Sequence, residues 1–285
     1  MIEPVISING ERQPLDGPHV SSRDRGVTLA DGLFETMRAR NNRIFRWEYH
    51  LARLHDGLGT LAIPLPPRIA DWVAQALTAA GHGDARIRLT VTRGIGPPGL
   101  VGPADVQPTV IIAVTPLPDI TQAPPPHPVS LHVASGRRNE RAMSAGLKSL
   151  SYTDSVMAML EAQRHGADDA LFLDTEDHCS ETTACNLFIC TGGGLVTPPL
   201  SCGALPGIAR AVVLELADSM GLPAEERAFG LDDLCGADEA FVTNSTRGPV
   251  AVSRVGDRAI GSGSAGDLTR RLADAYRARV LAECP

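Results

Sequence analysis

The chain has 285 residues, 43% of them hydrophobic and 21% charged, enough for one large domain or two modest ones with cores of their own. A formal net charge of -7 excludes the overall basic footprint that nucleic-acid binding needs. No apolar run reaches the roughly 18 residues of a membrane span, and the opening MIEPVISINGERQPLDG has neither a basic n-region nor an apolar h-region, so a cytoplasmic protein without a secretory signal is expected.

PVISING and LFETMRAR read as strands, joined by a loop around SSRDRG. WEYHLARLHDGLGTLAI sets Tyr49, Leu51, Leu54 and Leu58 at near-helical spacing, which predicts a helix. ADWVAQALTAAG follows as a second helix, stopped by Gly81. In RIRLTVTRG, Arg86, Arg88 and Thr90 alternate with Ile87, Leu89 and Val91, so the two sets lie on opposite faces of a strand. The unbroken apolar run of PTVIIAVT predicts a strand buried on both faces. PLPDITQAPPPHP, from Pro116 to Pro128, is stiff and poor in backbone donors, because proline fixes φ and has no N–H. It divides the chain into a small N-terminal domain (1–117), a linker (118–128) and a larger C-terminal domain (129–285).

Beyond the linker, SVMAMLEAQRHG is a helix with Val156, Met159 and Leu160 inward and Gly166 as its cap. ALFLD and CNLFIC are strands, with DTEDHCSE as the loop between them. LPGIARAVVLELADSMG is a helix with Pro206 near its first turn and Gly221 ending it. AFVTN and VAVSRV are strands, and SAGDLTRRLADAYRARVLA is an amphipathic helix. Strands and helices mix without a βαβ rhythm, which points to an α+β fold and away from a doubly wound sheet.

The six cysteines form no C-x-x-C pair, so reduced thiols are expected. His178-Cys179 near Cys185 fits no common zinc spacing, and no metal is expected. Gly94 to Gly99 satisfies G-x-G-x-x-G, but Pro97 and Pro98 delete two of the backbone donors a dinucleotide phosphate would need, and no helix can open there. It reads as a turn. Asn244-Ser245-Thr246 is a glycosylation acceptor only in a secreted protein.

Lys148, the only lysine in the chain, sits in the apolar stretch AGLKSLSY just before a helix. Burial disfavours its charged form, and a neutral amine attacks aldehydes and shuttles protons. Glu181 precedes an apolar strand, where a carboxylate in a dry place pairs strongly with one cation. Gly207 and Ile208 open a helix, whose unsatisfied amides attract an anion. Taken singly, these residue types also fit ordinary roles: a surface lysine, a polar loop carboxylate, a solvated Arg53, a core Tyr152.

Three blocks in order resemble the fold-type IV pyridoxal-phosphate enzymes over essentially the whole chain. They are DRGVTLADGLFETMRAR with YHLARL, then GLKSLSYTDSVMA, then the run from SETTACNLF to GALPGIAR. That family includes branched-chain and D-amino-acid aminotransferases, (R)-selective amine transaminases and aminodeoxychorismate lyase. The resemblance implies a small N-terminal α/β domain, a larger C-terminal pseudo-barrel domain that binds the cofactor, a cofactor cleft between them, and a homodimer. It implies pyridoxal 5'-phosphate held as a Schiff base on Lys148, with Glu181 on the pyridine nitrogen and Tyr152 on the ring hydroxyl. Arg53, the Gly207 and Ile208 amides and Ser245 would hold the phosphate. Thr36, Arg38, Arg88, Thr246 and Arg247 would face the substrate. The implied reaction is ping-pong amino transfer between an amino acid or amine and a 2-oxo acid; pyruvate release from aminodeoxychorismate is the alternative. The chain departs from the pattern at Leu29 and Ala30, where many relatives have an aromatic residue and glycine, at Ala209, where many have threonine, and at Pro98, where the lyase branch often has arginine.

Overall fold

The computed structural model describes residues 1–17 and 20–285. Among these described residues the chain packs as two compact units. The first holds Met1–Ala123, Leu147–Ser151 and Val280–Pro285; the second holds Pro124–Gly146 and Tyr152–Arg279.

The first unit opens with strands β1 (Val5–Ile8) and β2 (Glu11–Gln13). Asn9 and Gly10 join them with φ of 50° and 88°, the left-handed pair a tight hairpin demands. A Cβ on Gly10 would also strike the indole of Trp72, so glycine is required twice over. The stretch expected as a loop contains a short helix, α1 (Arg25–Leu29), because Asp24 caps it by accepting the Gly26 N–H. Then come β3 (Gly32–Arg40), β4 (Arg43–Ile44), α2 (Trp47–Thr60), α3 (Ile69–Ala80), β5 (Asp84–Thr92) and β6 (Thr109–Pro116). They form an antiparallel sheet in the order β2-β1-β6-β5-β3-β4.

Alternation along these strands builds the core. Leu33, Met37, Ile87, Leu89, Val91, Ile112 and Val114 point to one face and meet Leu54, Leu58, Val73 and Leu77 of the helices. β6 is buried on that face only: Val110, Ile112 and Val114 are buried while Ile111 and Ala113 are half-buried. The apolar run was no sign of burial on both sides, since an antiparallel sheet needs just one covered face. On α2 the inward residues are His50, Leu54, Gly57 and Leu58. Tyr49 is 53% exposed and Leu51 half-buried. Tyr49 lies one step off the stripe that runs through 50, 54, 57 and 58, and Arg46 stacks over its ring instead.

The second unit contains β7 (Val129–Arg137), α4 (Thr153–Arg164), β8 (Asp169–Leu173), β9 (Cys179–Thr182), β10 (Asn186–Thr191), β11 (Gly194–Thr197), α5 (Ile208–Ser219), β12 (Ala224–Glu226), α6 (Leu231–Cys235), β13 (Glu239–Asn244), β14 (Gly248–Val255) and β15 (Arg258–Ala259). Helix α7 (Asp267–Glu283) starts in this unit, and its residues from Val280 cluster with the first. The sheet runs β12-β11-β10-β13-β14-β7-β8-β9, and β9 returns to pair with β10. That last pairing closes β10, β13, β14, β7, β8 and β9 into a barrel, as expected for the C-terminal part of the chain. Leu131, Leu171, Leu187, Ile189, Val242 and Val252 belong to one core cluster of this unit.

Helix α4 turns a different face inward from the one its large residues suggest. Ser155, Ala158 and Ala162 are buried, Met159 is half-buried, and Val156, Met157 and Leu160 are 56%, 64% and 46% exposed. Small residues let the helix sit close on β7 and β8, against Ala134, Ala170 and Phe172. Gly166 ends the helix with φ of 65°. All six cysteines are free, and no helix among the described residues is long and apolar enough to cross a membrane.

Candidate active site

The first unit assembles one group of candidates across β3 and β5. Their antiparallel register sets Phe34 opposite Thr90, Thr36 opposite Arg88 and Arg38 opposite Arg86. The segment bearing Lys148 is tied to β3 by its backbone: the Phe34 N–H donates to the Lys148 carbonyl at 3.0 Å, and the Leu150 N–H to the Gly32 carbonyl at 3.0 Å. Lys148 is half-buried. Its Nζ lies 4.7 Å from the centre of the Phe34 ring, and the Arg88 guanidinium lies 3.7 Å from the same ring. One aromatic side chain thus gathers the candidate amine and the candidate substrate arginine through cation–π contact. Thr36, beside Phe34 and paired with Arg88, belongs to this neighbourhood.

Arg38 does not. It is buried in an ion pair with Asp84 at 2.7 Å, where Arg40 joins at 2.5 Å, and its guanidinium also reaches the Pro118 carbonyl. A carboxylate this buried holds on to its cations, so Arg38 belongs to this structural pair and not to the Lys148 group.

Glu35 alternates onto the opposite, core-facing side of β3, 1% exposed. It accepts the His50 Nδ1–H at 2.6 Å and the Arg53 Nε–H and Nη2–H at 2.8 and 2.6 Å. Burial alone would push the Glu35 carboxyl up, but the hydrogen bonds from His50 and Arg53 outweigh it and hold the group down at about 2. Burial pushes His50 below its ordinary value despite Glu35, and the charges of Arg53 and Lys148 act in the same direction, so the ring is neutral. With Nδ1 donating, His50 Nε2 is a buried acceptor without a hydrogen-bond partner among the described residues. The Arg53 guanidinium is thereby oriented by a fork of two bonds to a buried anion.

The second unit assembles another group. Glu181 sits on β9 and not in a loop, because the hairpin after β8 turns back early and Cys179–Thr182 pairs with both neighbours. Its Oε1 pairs with Arg138 Nη2 at 3.1 Å, and its Oε2 accepts the Leu205 N–H at 2.9 Å. The Arg138 guanidinium rests 4.3 Å from the Phe172 ring. Asn186, opposite Glu181 in register, donates from Nδ2 to the Leu205 carbonyl at 2.9 Å. The loop that runs from Leu205 into α5 is therefore fixed at both its N–H and its C=O.

Gly207 is the N-cap of α5, extended, and no side chain caps the helix. Pro206 falls one position before the cap. A Cβ on Gly207 would strike Asn186 Oδ1, so only glycine fits. The amides of the first turn of α5 therefore receive no side-chain cap, and the helix dipole favours negative charge at this end. Ser245, Thr246 and Arg247 form the turn between β13 and β14 around Asn244, whose Oδ1 accepts from the Thr246 N–H, the Thr246 hydroxyl and the Arg247 N–H at 3.1, 3.0 and 3.0 Å. Tyr152 occupies the N-cap position of α4.

Phe34, Glu35, His50, Arg138 and Asn186 were not foreseen from the sequence. His50 and Arg53, three apart on one helix face, were the one usable signal. The Gly94–Gly99 stretch opens no helix; Arg25 holds the carbonyls of Gly99 and Leu100 at 2.8 and 3.1 Å, as a turn requires.

The profile of the amino-transferase class IV family matches residues 32–255. A Methanocaldococcus jannaschii protein with the provisional name branched-chain-amino-acid aminotransferase is 33% identical over 275 residues, 95% of each chain. The structure of a branched-chain amino acid aminotransferase from T.th. with pyridoxamine 5'-phosphate superposes with a TM-score of 0.89 at 26% identity, over 100% of this chain and 97% of that one. The Pseudomonas aeruginosa 4-amino-4-deoxychorismate lyase gives 0.82 at 33% identity, over 96% and 98%.

Proposed function

Because the chain belongs to the class IV aminotransferases and is a pyridoxal-phosphate-dependent aminotransferase, we propose that Lys148, Glu181, Arg53 and the amides of α5 serve that cofactor in amino transfer between an amino acid and a 2-oxo acid. The donor set fits the group: one amine, one guanidinium clamped by a buried glutamate, an uncapped helix start beside a glycine that admits no Cβ, and a carboxylate held at both oxygens. The observation that carries the reading is Lys148, the only lysine, pinned to β3 by its backbone and held against Phe34.

When bound, pyridoxal phosphate supplies an electron sink for the pair left behind by a departing α-proton. Lys148 Nζ is the only side-chain amine able to hold the aldehyde carbon. The same Nζ would be the base that takes the substrate's α-proton and the acid that gives it back. Glu181, paired with Arg138 and the Leu205 amide, keeps a proton on the ring nitrogen by its negative charge. Arg53, the Gly207–Ile208 amides and Ser245 hold the phosphate, and Tyr152 donates to the ring hydroxyl. Arg88 receives the substrate carboxylate, with Thr36, Thr246 and Arg247 near it in role.

The active form is a homodimer in this reading. Val156, Met157 and Leu160 on α4 and the 88% and 82% exposed Leu100 and Val101 are apolar surface that a second copy would cover. Six free thiols support a reducing, cytoplasmic setting. Residues 118–128 carry no strand or helix and connect the N- and C-terminal parts of the chain, with 118–123 clustering in the first unit and 124–128 in the second. Amino transfer to 2-oxoglutarate and pyruvate, assayed beside pyruvate release from aminodeoxychorismate, tests the function. Transfer without release is expected; release without transfer would make the chain a lyase.

A further inference from the structure

Three side chains outside the amino-transfer groups stand together on two turns of the second unit. Asp174 and His178 come from the turn between β8 and β9, and Cys202 from the single 3₁₀ turn Leu200–Cys202. They present a carboxylate oxygen, an imidazole nitrogen and a thiol sulfur, all within 4.8 Å of one another. Asp174 and Cys202 are each 3% exposed, while the His178 side chain is 36% exposed, which leaves an entry path from solvent.

Backbone bonds fix the donors, and the ligand atoms face one another, with Asp174 also hydrogen-bonded to the Cys202 thiol. Asp174 Oδ1 accepts the Glu176 and His178 N–H groups at 2.9 and 2.8 Å, which fixes the carboxylate plane. Its Oδ2 faces His178 Nδ1 at 3.2 Å. The Cys202 N–H donates to the Pro199 carbonyl and the Gly203 N–H to the Leu200 carbonyl, both at 3.0 Å. Glu140 and Glu176 add negative charge near Cys202. Glu140 in turn is held by the Thr175 N–H and hydroxyl at 3.1 and 2.6 Å.

We propose that Asp174, His178 and Cys202 bind one borderline-soft divalent cation of the zinc type, with water as the fourth ligand. One sulfur, one nitrogen and one oxygen suit zinc, whereas magnesium and calcium take oxygen sets. Binding replaces the Cys202 thiol proton with the metal and releases that proton to water. The ion clips the β8–β9 turn to the segment that leads to Leu205, whose N–H holds Glu181. Sequence spacing could not show this site, because Cys202 is remote from His178 along the chain and His178-Cys179 drew attention to the wrong sulfur.

The test adds zinc to metal-stripped holoenzyme and reads stoichiometry by competition with a chromophoric chelator. One zinc per chain is expected, with X-ray absorption showing a single sulfur at about 2.3 Å and nitrogen or oxygen at about 2.0 Å. Excess magnesium should not displace it. Cys202→Ser should lose the sulfur shell and weaken binding at least about tenfold, and so should His178→Gln in affinity. The His178 variant decides the matter if the buried Cys202 variant does not fold. Absence of bound zinc, or affinity that survives His178→Gln unchanged, would overturn the assignment, as would a sulfur shell that persists without Cys202.

Discussion

Replacing Glu35 with glutamine removes the negative charge to which Arg53 makes its fork of two bonds, while leaving the packing of β3 nearly unchanged. Glu35 is buried and accepts three donors, two from Arg53 and one from His50. A glutamine oxygen can keep one or two of these, and its NH2 must then face a donor. Losing one charge-assisted bond and the buried carboxylate charge beside the Arg53 guanidinium costs about 3 kcal/mol. The depressed Glu35 carboxyl gives the same size by another route. The carboxyl falls from 4.5 to about 2 in the folded chain, and that difference of roughly 2.5 units at about 1.36 kcal/mol each is again about 3 kcal/mol. A lowered folded value means the contribution is complete above pH 4.5 and is lost as pH falls from there toward 2. Urea denaturation of both proteins at neutral and acid pH measures it. Glu35→Gln should be about 3 kcal/mol less stable at neutral pH, and the gap should shrink as pH falls below 4.5. A variant within about 0.5 kcal/mol of the parent at neutral pH, with a parallel acid limb, would refute the placement of Glu35 as a buried anion.

Arg53→Ala should weaken cofactor affinity roughly ten- to a hundredfold, from the loss of about 1.5–3 kcal/mol in a charge-assisted contact, as read by cofactor titration. Its rate at saturating cofactor should change far less. Glu181→Gln should still load cofactor but slow single-turnover conversion of the pyridoxal to the pyridoxamine form about a hundredfold, from a loss of ~2.7 kcal/mol in the proton-transfer transition state. A rate within about threefold of the parent at matched occupancy counts against Glu181 as the ring-nitrogen partner. Asp84→Asn leaves Arg38 and Arg40 without their buried carboxylate and should cost about 3 kcal/mol in chemical denaturation with little effect on turnover. A large loss of turnover without loss of stability would return Arg38 to the substrate side.

What could be read in the sequence followed the strength of local constraint. Lys148, Glu181 and Gly207 stood out because the blocks that hold them match a family pattern in order; taken singly, each residue type also fitted an ordinary role. Phe34 and Glu35 sit in LFETMRAR, where the alternation was visible but not the direction of either face. Only the helix α2 behind β3 shows that Glu35 points at Arg53. Arg38 looked like a pocket residue because its partner Asp84 lies in a different strand, and register across strands is not written in either one alone. On α4 the rule that large apolar residues point inward failed. The close approach of the helix to β7 and β8 selects Ser155, Ala158 and Ala162 for the interface and leaves Val156 and Leu160 outside. Arg138 and Asn186 are ordinary polar residues whose role appears only when the barrel closes and brings β9 beside β10.

Lys148, the chain's single lysine, is the proposed carrier of the cofactor. Purified protein loaded with pyridoxal phosphate should absorb in the visible, and borohydride should bleach that band and fix the cofactor to the protein. Digestion and mass spectrometry of the reduced protein then locate the adduct. The account predicts one cofactor per chain, on the peptide that contains Lys148, and none on protein carrying Lys148→Ala. A reduced adduct on any other residue, or a stoichiometric adduct that persists in Lys148→Ala, would contradict it.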